Sequence, residues 1–224
     1  MKSAPVPGLQ NLESPDRQQA VPRARPDILA FGLSRLRTRG LASTSGDLVA
    51  WINYRWCLRR ASQAGSGRLW GRIRIVNRGT ITLGHRLRLD GRTVRLELVA
   101  TGGGTISIGD STYVNYGTNI SATNSVTIGA NCAIGQYAII MDNDYHSVAN
   151  HHAMGESAPI VIGDDVWLGA RVIVLRGANI GNGCVIGANS VVKGTIPAYS
   201  LAAGSPARVI RSLTRTGEHE PRRP

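Results

Sequence analysis

An all-β fold, a parallel β-helix, is the fold class that the sequence predicts, and two observations predict it. Aliphatic residues recur every six positions in the second half of the chain, at Ile162, Leu168, Val174, Ile180, Ile186 and Val192. This short period indicates a solenoid in which each repeat is a strand and a corner. Two positions before five of them stand small or aliphatic residues, namely Val166, Val172, Ala178, Cys184 and Ser190. Because strand side chains alternate, both positions face one narrow interior, and a period of six does not fit a helix.

The same interval extends toward the N-terminus in less regular form. It runs through Ile108, Val114, Ile120 and Val126 and then, shifted by two positions, through Ile128, Ile134 and Ile140. Earlier still, the interval is kept by Ile75, Ile81 and Leu87, and Val94, Leu96 and Leu98 alternate as in a strand. We therefore expect imperfect first coils and then a regular prism from about Ile106 to Val192.

Prolines mark the expected end of the repeat. Proline has no N–H to donate to a ladder, so Pro197 and Pro206 predict that the coils stop after Val192. The residues that follow, 207–213, predict a short basic tail that turns away from the solenoid.

Composition divides the chain into four segments. The sequence predicts a disordered basic arm over 1–26, a helical N-terminal extension over 27–66, the β-helix over 67–213 and a flexible tail over 214–224. Three cysteines, an odd number, argue against a disulfide framework and for a reducing compartment. The sequence contains no apolar stretch of spanning length and no signal-peptide core near Met1. These features predict a cytoplasmic protein.

The positive charge is concentrated at the N-terminal side. Residues 1–95 contain 18 basic and 5 acidic residues, within a total net charge of +12. Helices are predicted over 28–36 and 47–60, the second capped by Ser45 or Asp47. Because the second stretch mixes aromatic residues and arginines, it could cap the open end of the solenoid or lie on an anionic membrane surface. We favour the cap, and we keep binding of the protein to the inner face of the membrane as the alternative. No motif indicates nucleic-acid binding.

One segment breaks the six-residue frame. Ile140 and Ile162 are 22 residues apart, and the intervening stretch, 141–161, is polar and must project from a coil as a loop. Function concentrates in loops carried by rigid scaffolds. His146 follows two aspartates in this loop and is the candidate catalytic residue, whereas His151 and His152 are interpreted as solvated bystanders.

The hexads, the loop 142–146, the restart 161–170 and the closing segment 196–211 together resemble the left-handed β-helix acyltransferases. The sugar O-acetyltransferases, including the galactoside, maltose and polysaccharide-modifying branches, are the most similar group. This resemblance covers about residues 70–211. It implies a homotrimer that binds acetyl-coenzyme A (acetyl-CoA) between neighbouring subunits, with no metal ion.

The resemblance also implies roles for individual residues. His146 matches the catalytic histidine, Ala170 the residue beside the thioester, and Ala188 a contact of the pantetheine arm. Arg208 and Arg211 match basic residues near the nucleotide end of the cofactor. Lys193, displaced by one position from the family pattern, is a further phosphate contact. Asn119 lies near a substrate-binding asparagine of the sugar branch, and Asp144 is a second residue that we expect to bind the substrate.

These residues fit acetyl transfer from acetyl-CoA to a hydroxyl of a sugar or polysaccharide precursor. An imidazole can accept the proton of the hydroxyl, and a backbone N–H at Ala170 can stabilise the oxyanion. Asp144 or Asp142 could orient the imidazole or could instead cap its own loop. The alternatives are an acetyltransferase acting on serine or an antibiotic, a scaffold in polysaccharide assembly and, least favoured, a metal-dependent carbonic anhydrase that uses His146 and His151.

Overall fold

The computed structural model describes residues 41–147 and 149–213, and in this part the chain winds into a β-helix with three faces. Face A is a parallel ladder of seven short strands. They are β1 (Gln63–Ala64), β3 (Thr80–Leu83), β5 (Thr105–Ile108), β8 (Ser125–Ile128), β11 (Ile160–Ile162), β14 (Asn179–Ile180) and β17 (Thr195–Ile196).

Faces B and C share their first two strands, because β2 (Gly67–Asn77) and β4 (Leu87–Ala100) bend around the edge between them. Face B continues through β6 (Tyr113–Val114), β9 (Ala133–Ile134), β12 (Trp167–Leu168), β15 (Val185–Ile186) and β18 (Ser200–Gly204). Face C continues through β7 (Asn119–Ala122), β10 (Ile139–Met141), β13 (Ile173–Val174) and β16 (Val191–Val192). The bend depends on glycine: a Cβ on Gly91 would lie 2.0 Å from the carbonyl oxygen of Arg72.

The interior is filled as the hexads predict. On face B, Leu168 lies in register between Ile134 and Ile186, and all three side chains are buried. The smaller residues two positions earlier, such as Cys132 and Cys184, are buried as well. These coils therefore each contribute a large and a smaller side chain to face B, whereas on face A both inward residues can be large, as are Ile106 and Ile108. Burial of this aliphatic column is the main source of stability.

The predicted end of the solenoid is wrong in two respects. Strands β17 and β18 continue the parallel ladders beyond Val192, because Pro197 lies in the corner between them, where the ladder needs no N–H. The predicted tail does not turn away either. Residues Ala207–Ser212 form β19, which folds back antiparallel to β18.

At the other end, helix α1 (Leu41–Cys57) and a 3-10 turn (Leu58–Arg60) cover the first coil. Tyr54 and Leu58 are buried, and the side-chain amide of Asn53 donates to the carbonyls of Leu69 at 3.2 Å and Gly71 at 2.7 Å. The inner face of this helix therefore caps the open end of the solenoid, which is the favoured alternative for this stretch.

The predicted helix cap is wrong, because Ser45 and Asp47 lie inside α1. The Asp47 carboxylate lies 3.6 Å from the guanidinium of Arg68 on β2. The predicted helix over 28–36, the arm 1–26 and the tail 214–224 fall outside the described residues. Among those described, no helix is both long and apolar enough to cross a membrane.

Candidate active site

The loop between β10 and β11 is an irregular hairpin held by main-chain hydrogen bonds. Its two sides are joined by donation from Asp144 to Glu156 at 3.0 Å, from Ala158 to Asp142 at 2.9 Å and from Ser147 to Ala153 at 3.0 Å. The fully buried carboxylate of Asp142 anchors the base, where it accepts hydrogen bonds from the backbone N–H groups of Thr123 and Asn124 on the preceding coil. The hairpin is thereby fixed to the solenoid.

His146 lies near the tip of this hairpin with an exposed side chain. Its Nδ1 is 2.7 Å from the carbonyl oxygen of His151 across the tip. A carbonyl oxygen can only accept, so this contact requires a proton on Nδ1. In the neutral ring, Nε2 is then the unprotonated nitrogen and can accept a proton from a substrate.

The suggestion that Asp142 or Asp144 orients His146 is wrong, because both carboxylates have other partners. Asp142 faces the corner at 123–124, and the Asp144 carboxylate accepts a hydrogen bond from Arg176 Nε at 2.6 Å. Arg176 also reaches Glu156, with 2.8 Å between Nη2 and the carboxylate. One guanidinium thus joins the two sides of the hairpin to the next coil, and its hydrogen bond to Asp144 raises the pKa of Arg176.

Sequence reasoning missed Arg176, which helps to hold the hairpin, and the carbonyl group that holds the ring of His146. Arg176 lies 30 positions after His146 in an ordinary corner, and its residue type carries no signal among many arginines. The acceptor on His151 is a main-chain carbonyl, which every residue possesses. Only the three-dimensional arrangement identifies either one.

A groove of about 360 Å³ runs along face B and its edge with face C. It is lined by Tyr113, Asn115, Ala133, Ile134, Gly135, Gln136, Trp167, Gly169, Ala170, Val185, Ile186, Gly187 and Ala188. Two of the five predicted cofactor contacts, Ala170 and Ala188, are therefore groove residues. A Cβ on Gly169 would lie 2.6 Å from the backbone nitrogen of Ala188, so glycine lets the coils stack closely there.

The groove also offers hydrogen-bond donors. The backbone N–H groups of Gln136, Ala170 and Ala188 donate to no backbone or side-chain group of the described chain, whereas their neighbours in each corner are paired. Stacked coils place these three groups in a column along one edge. Such unpaired donors suit a long, amide-rich ligand that lies parallel to the solenoid axis.

The predicted basic contacts lie in two places. Arg208 and Arg211 are on β19, beside β18 at the end of face B, and among the described residues their guanidinium groups donate to the backbone carbonyls of Ala207 and Ser212. Lys193 is exposed after β16, on the edge between faces C and A. It shares that edge with the hairpin of His146 rather than with Ala170.

Asn119 lies on face C and belongs to a polar cluster that the sequence did not indicate. Its amide donates to the Glu97 carboxylate at 3.0 Å, and its carbonyl oxygen accepts from Ser121 at 2.8 Å. Glu97 is also paired with Arg95 at 2.9 Å. Asn119 is thus held in one orientation next to β10, the strand that leads into the hairpin.

The structure does not bring His146 and Ala170 together within one chain. The hairpin leaves the edge between faces C and A, whereas Ala170 lies at the edge between faces B and C. One face, a six-residue repeat at about 3.3 Å per residue, separates these edges by up to roughly 20 Å. Across residues 41–147 and 149–213, no three His, Cys, Asp or Glu side chains are placed to bind a metal ion.

Comparison with known proteins agrees with this architecture. Residues 159–194 match the bacterial transferase hexapeptide (six repeats) family. Over 148 residues the chain is 39% identical to the "Putative lipopolysaccharide biosynthesis O-acetyl transferase WbbJ" of Escherichia coli (strain K12), a match that covers 61% of this chain and 74% of that protein. It is also 39% identical over 122 residues to the galactoside O-acetyltransferase of the same organism, covering 52% of this chain and 59% of that enzyme.

Among solved structures, the hexapeptide-repeat acetyltransferase VCA0836 of Vibrio cholerae O1 biovar eltor, complexed with acetyl-CoA, is 33% identical. It matches with a TM-score of 0.53 over 59% of this chain and 70% of that one. The chain belongs to the hexapeptide-repeat acetyltransferase family. The predicted left-handed β-helix and the predicted acyl-CoA-dependent acetyltransferase class are confirmed by this membership.

Proposed function

We propose that the chain transfers an acetyl group from acetyl-CoA to a hydroxyl of a sugar unit in a polysaccharide precursor, with His146 as general base. The observation that carries this proposal is the hydrogen bond between His146 Nδ1 and the carbonyl of His151. It leaves Nε2 as a proton acceptor on a hairpin that is fixed by Asp142 and Arg176.

In the proposed reaction, the hydroxyl oxygen forms a bond to the thioester carbonyl carbon while its proton moves to His146 Nε2. The carbon–sulfur bond then breaks, and the same proton passes to the leaving sulfur. A positioned imidazole of this kind contributes about 10²–10⁴ to the rate, because a sugar hydroxyl is almost fully protonated at neutral pH.

The groove supports the assignment of acetyl-CoA as the acyl donor. The backbone N–H of Ala170 would donate to the oxygen that becomes negatively charged, and as a fixed donor it needs no reorganisation. The N–H of Ala188 would meet an amide carbonyl of the pantetheine arm. Arg208 and Arg211 would meet the phosphates of the nucleotide by charge-assisted bonds.

The separation of the two edges supports a homotrimer. His146 of one subunit and the groove of its neighbour can face each other if the subunits associate side by side in a closed ring. Each of the three sites would then combine two chains. In this arrangement Lys193, on the same edge as the hairpin, would approach a cofactor that lies in the neighbouring groove.

The acceptor class rests on the relatives and on the polar surface beside the hairpin. The two relatives described above are named as a putative O-acetyltransferase of lipopolysaccharide biosynthesis and as a galactoside O-acetyltransferase. Asn119, oriented by Glu97 and Ser121, offers amide groups that suit sugar hydroxyls, and Asp144 lies at the hairpin. Transfer to serine or to an antibiotic is the alternative that the test must separate.

The test is thiol release from acetyl-CoA by the purified full-length chain, with nucleotide sugars, simple glycosides, serine and chloramphenicol as acceptors. We expect turnover with a sugar acceptor and a loss of about 10²–10⁴ in kcat for His146→Ala, with little change in acetyl-CoA affinity.

The matched control is His152→Ala, an exposed histidine of the same hairpin, which should act like the wild-type chain. Near-normal kcat in His146→Ala with the best acceptor would show that the base lies elsewhere. A strong preference for serine or chloramphenicol would overturn the sugar assignment.

A further inference from the structure

Helix α1 carries a second apolar stripe, which is exposed and does not pack against the solenoid. Leu48, Ile52 and Trp56 are 43%, 53% and 71% exposed, and Val49 beside them is 65% exposed. Their spacing of four residues keeps them on one side of the helix. The buried residues Ala50, Tyr54 and Leu58 follow the same spacing two positions later, which is about 200° around the helix axis. Capping the first coil therefore accounts for only one of the two apolar stripes.

The exposed stripe is bordered by arginines. Arg55, Arg59 and Arg60 are exposed, and the guanidinium groups of Arg55 and Arg59 lie 6.0 Å and 5.6 Å from the ring centres of Trp51 and Trp56. The only carboxylate within Gly46–Arg60 is Asp47, which faces Arg68 of β2 and has a 13% exposed side chain. The outward face thus combines apolar side chains with positive charge.

A groove of about 530 Å³ lies between this helix and the first coil at Ala64 and Gly65. Trp51, Trp56, Arg55 and Arg59 are among the residues that line it. An indole beside a guanidinium suits the boundary of a bilayer, where an apolar surface meets anionic headgroups.

We propose that the outer face of α1 and the 3-10 turn binds the surface of an anionic phospholipid bilayer. Leu48, Ile52 and Trp56 insert among the acyl chains near the headgroups, and Arg55, Arg59 and Arg60 contact lipid phosphates. This inference goes beyond the acetyl-transfer chemistry and does not depend on it. In the cyclic trimer proposed above, three such faces would be present, and simultaneous contact would strengthen binding.

The positive charge of this face favours binding to an anionic bilayer over binding to the same face of a second copy of the chain. Self-association would bring the arginines of two copies together without facing carboxylates, which is unfavourable. Anionic headgroups neutralise the same arginines. Each arginine near the surface raises partitioning of the protein onto the bilayer about fivefold.

The experiment is sedimentation of the full-length chain with vesicles of phosphatidylcholine alone or with one third phosphatidylglycerol. We expect binding to the anionic vesicles that weakens as salt is raised. The double variant Ile52→Ser/Trp56→Ser should lose at least tenfold in partitioning, and Arg55→Gln/Arg59→Gln on the order of twentyfold.

Two matched controls separate this face from the general surface. Val94→Ser removes an exposed apolar side chain on β4, and Arg86→Gln removes an exposed arginine near Asp110. Both should bind vesicles like the wild-type chain. Acetyl transfer to a soluble acceptor should be unchanged in all these variants, and this readout also confirms that they are folded.

Three results would overturn the proposal. They are equal sedimentation with both vesicle types, wild-type partitioning of Ile52→Ser/Trp56→Ser, and vesicle-independent self-association that the same double variant abolishes. The last result would assign the stripe to a second copy of the chain.

Discussion

At the residue scale, a main-chain carbonyl decides which nitrogen of His146 can accept a proton. The sequence indicates the histidine itself, because it stands in the segment that breaks the six-residue frame. It does not indicate how the ring is held, since the acceptor is the backbone of His151 and the neighbouring carboxylates face elsewhere. Residues that can be recognised by type and spacing could be predicted from the sequence. The contacts that hold them could not, because those contacts depend on how the coils stack.

Arg176 tests the importance of that support. Arg176→Gln should lower kcat about 10- to 100-fold with little change in acetyl-CoA affinity, because the hairpin loses its link to the next coil and His146 shifts. Arg176→Lys should recover part of the loss, since a lysine can pair with one of the two carboxylates. Steady-state kinetics with the best acceptor would measure both effects.

The control for this prediction is Arg86→Gln, which also removes an ion-paired arginine but lies far from the hairpin in sequence. It should leave kcat unchanged. Equal activity of Arg176→Gln and the wild-type chain would mean that the hairpin holds His146 without this arginine.

At the element scale, the hexads predicted the strands well but not the two ends of the solenoid. Interior strands repeat one environment, so periodicity identifies them, as the register of Ile134, Leu168 and Ile186 illustrates. The ends are set by single contacts. Asn53 binds the edge of β2, and Pro197 is tolerated in a corner; neither follows a repeat.

Tyr54 provides a stability test of the helical cap. Its side chain is buried against the first coil, and its hydroxyl has no hydrogen-bond partner among the described residues. Burial raises the pKa of this hydroxyl, so it stays neutral. Tyr54→Ala should destabilise the protein by about 3–5 kcal/mol through the cavity it creates. Tyr54→Phe should be neutral or stabilising by up to about 1–2 kcal/mol, since it removes an unpaired polar group.

Denaturant unfolding at one fixed protein concentration would measure both changes, because subunit association would otherwise affect the midpoint. A loss of stability in Tyr54→Phe would indicate that the hydroxyl has a partner. A small effect of Tyr54→Ala would show that the helix contributes little to the first coil.

At the scale of the whole molecule, the proposed trimer predicts that two inactive variants can restore each other. His146→Ala removes the base, and Ala188→Phe fills the groove, so each variant alone should be inactive. In a mixed trimer, one site of the three would combine an intact histidine from one chain with an intact groove from its neighbour. Co-expressed, doubly tagged trimers should therefore regain about a third of wild-type activity.

Light scattering on the wild-type chain should give about three times 23.9 kDa. If both variants are inactive and their mixed trimers are inactive too, the histidine and the groove of one site belong to the same chain. An active monomer would likewise show that one chain contains both halves of the site.

The backward fold of β19 has a consequence for how copies of the chain meet. A parallel ladder has two unlike ends, so stacking one solenoid on the next would be head-to-tail and would continue without limit as a fibre. Helix α1 occupies one end, and β19, antiparallel and carrying Arg208 and Arg211, lies along the last strand at the other. Strand β19 therefore covers the last parallel edge of face B, whereas β17 and β16 are the terminal strands of faces A and C among the described residues. The antiparallel strand thus opposes head-to-tail stacking on face B, and the helix opposes it at the first coil, which favours assembly through the sides of the prism.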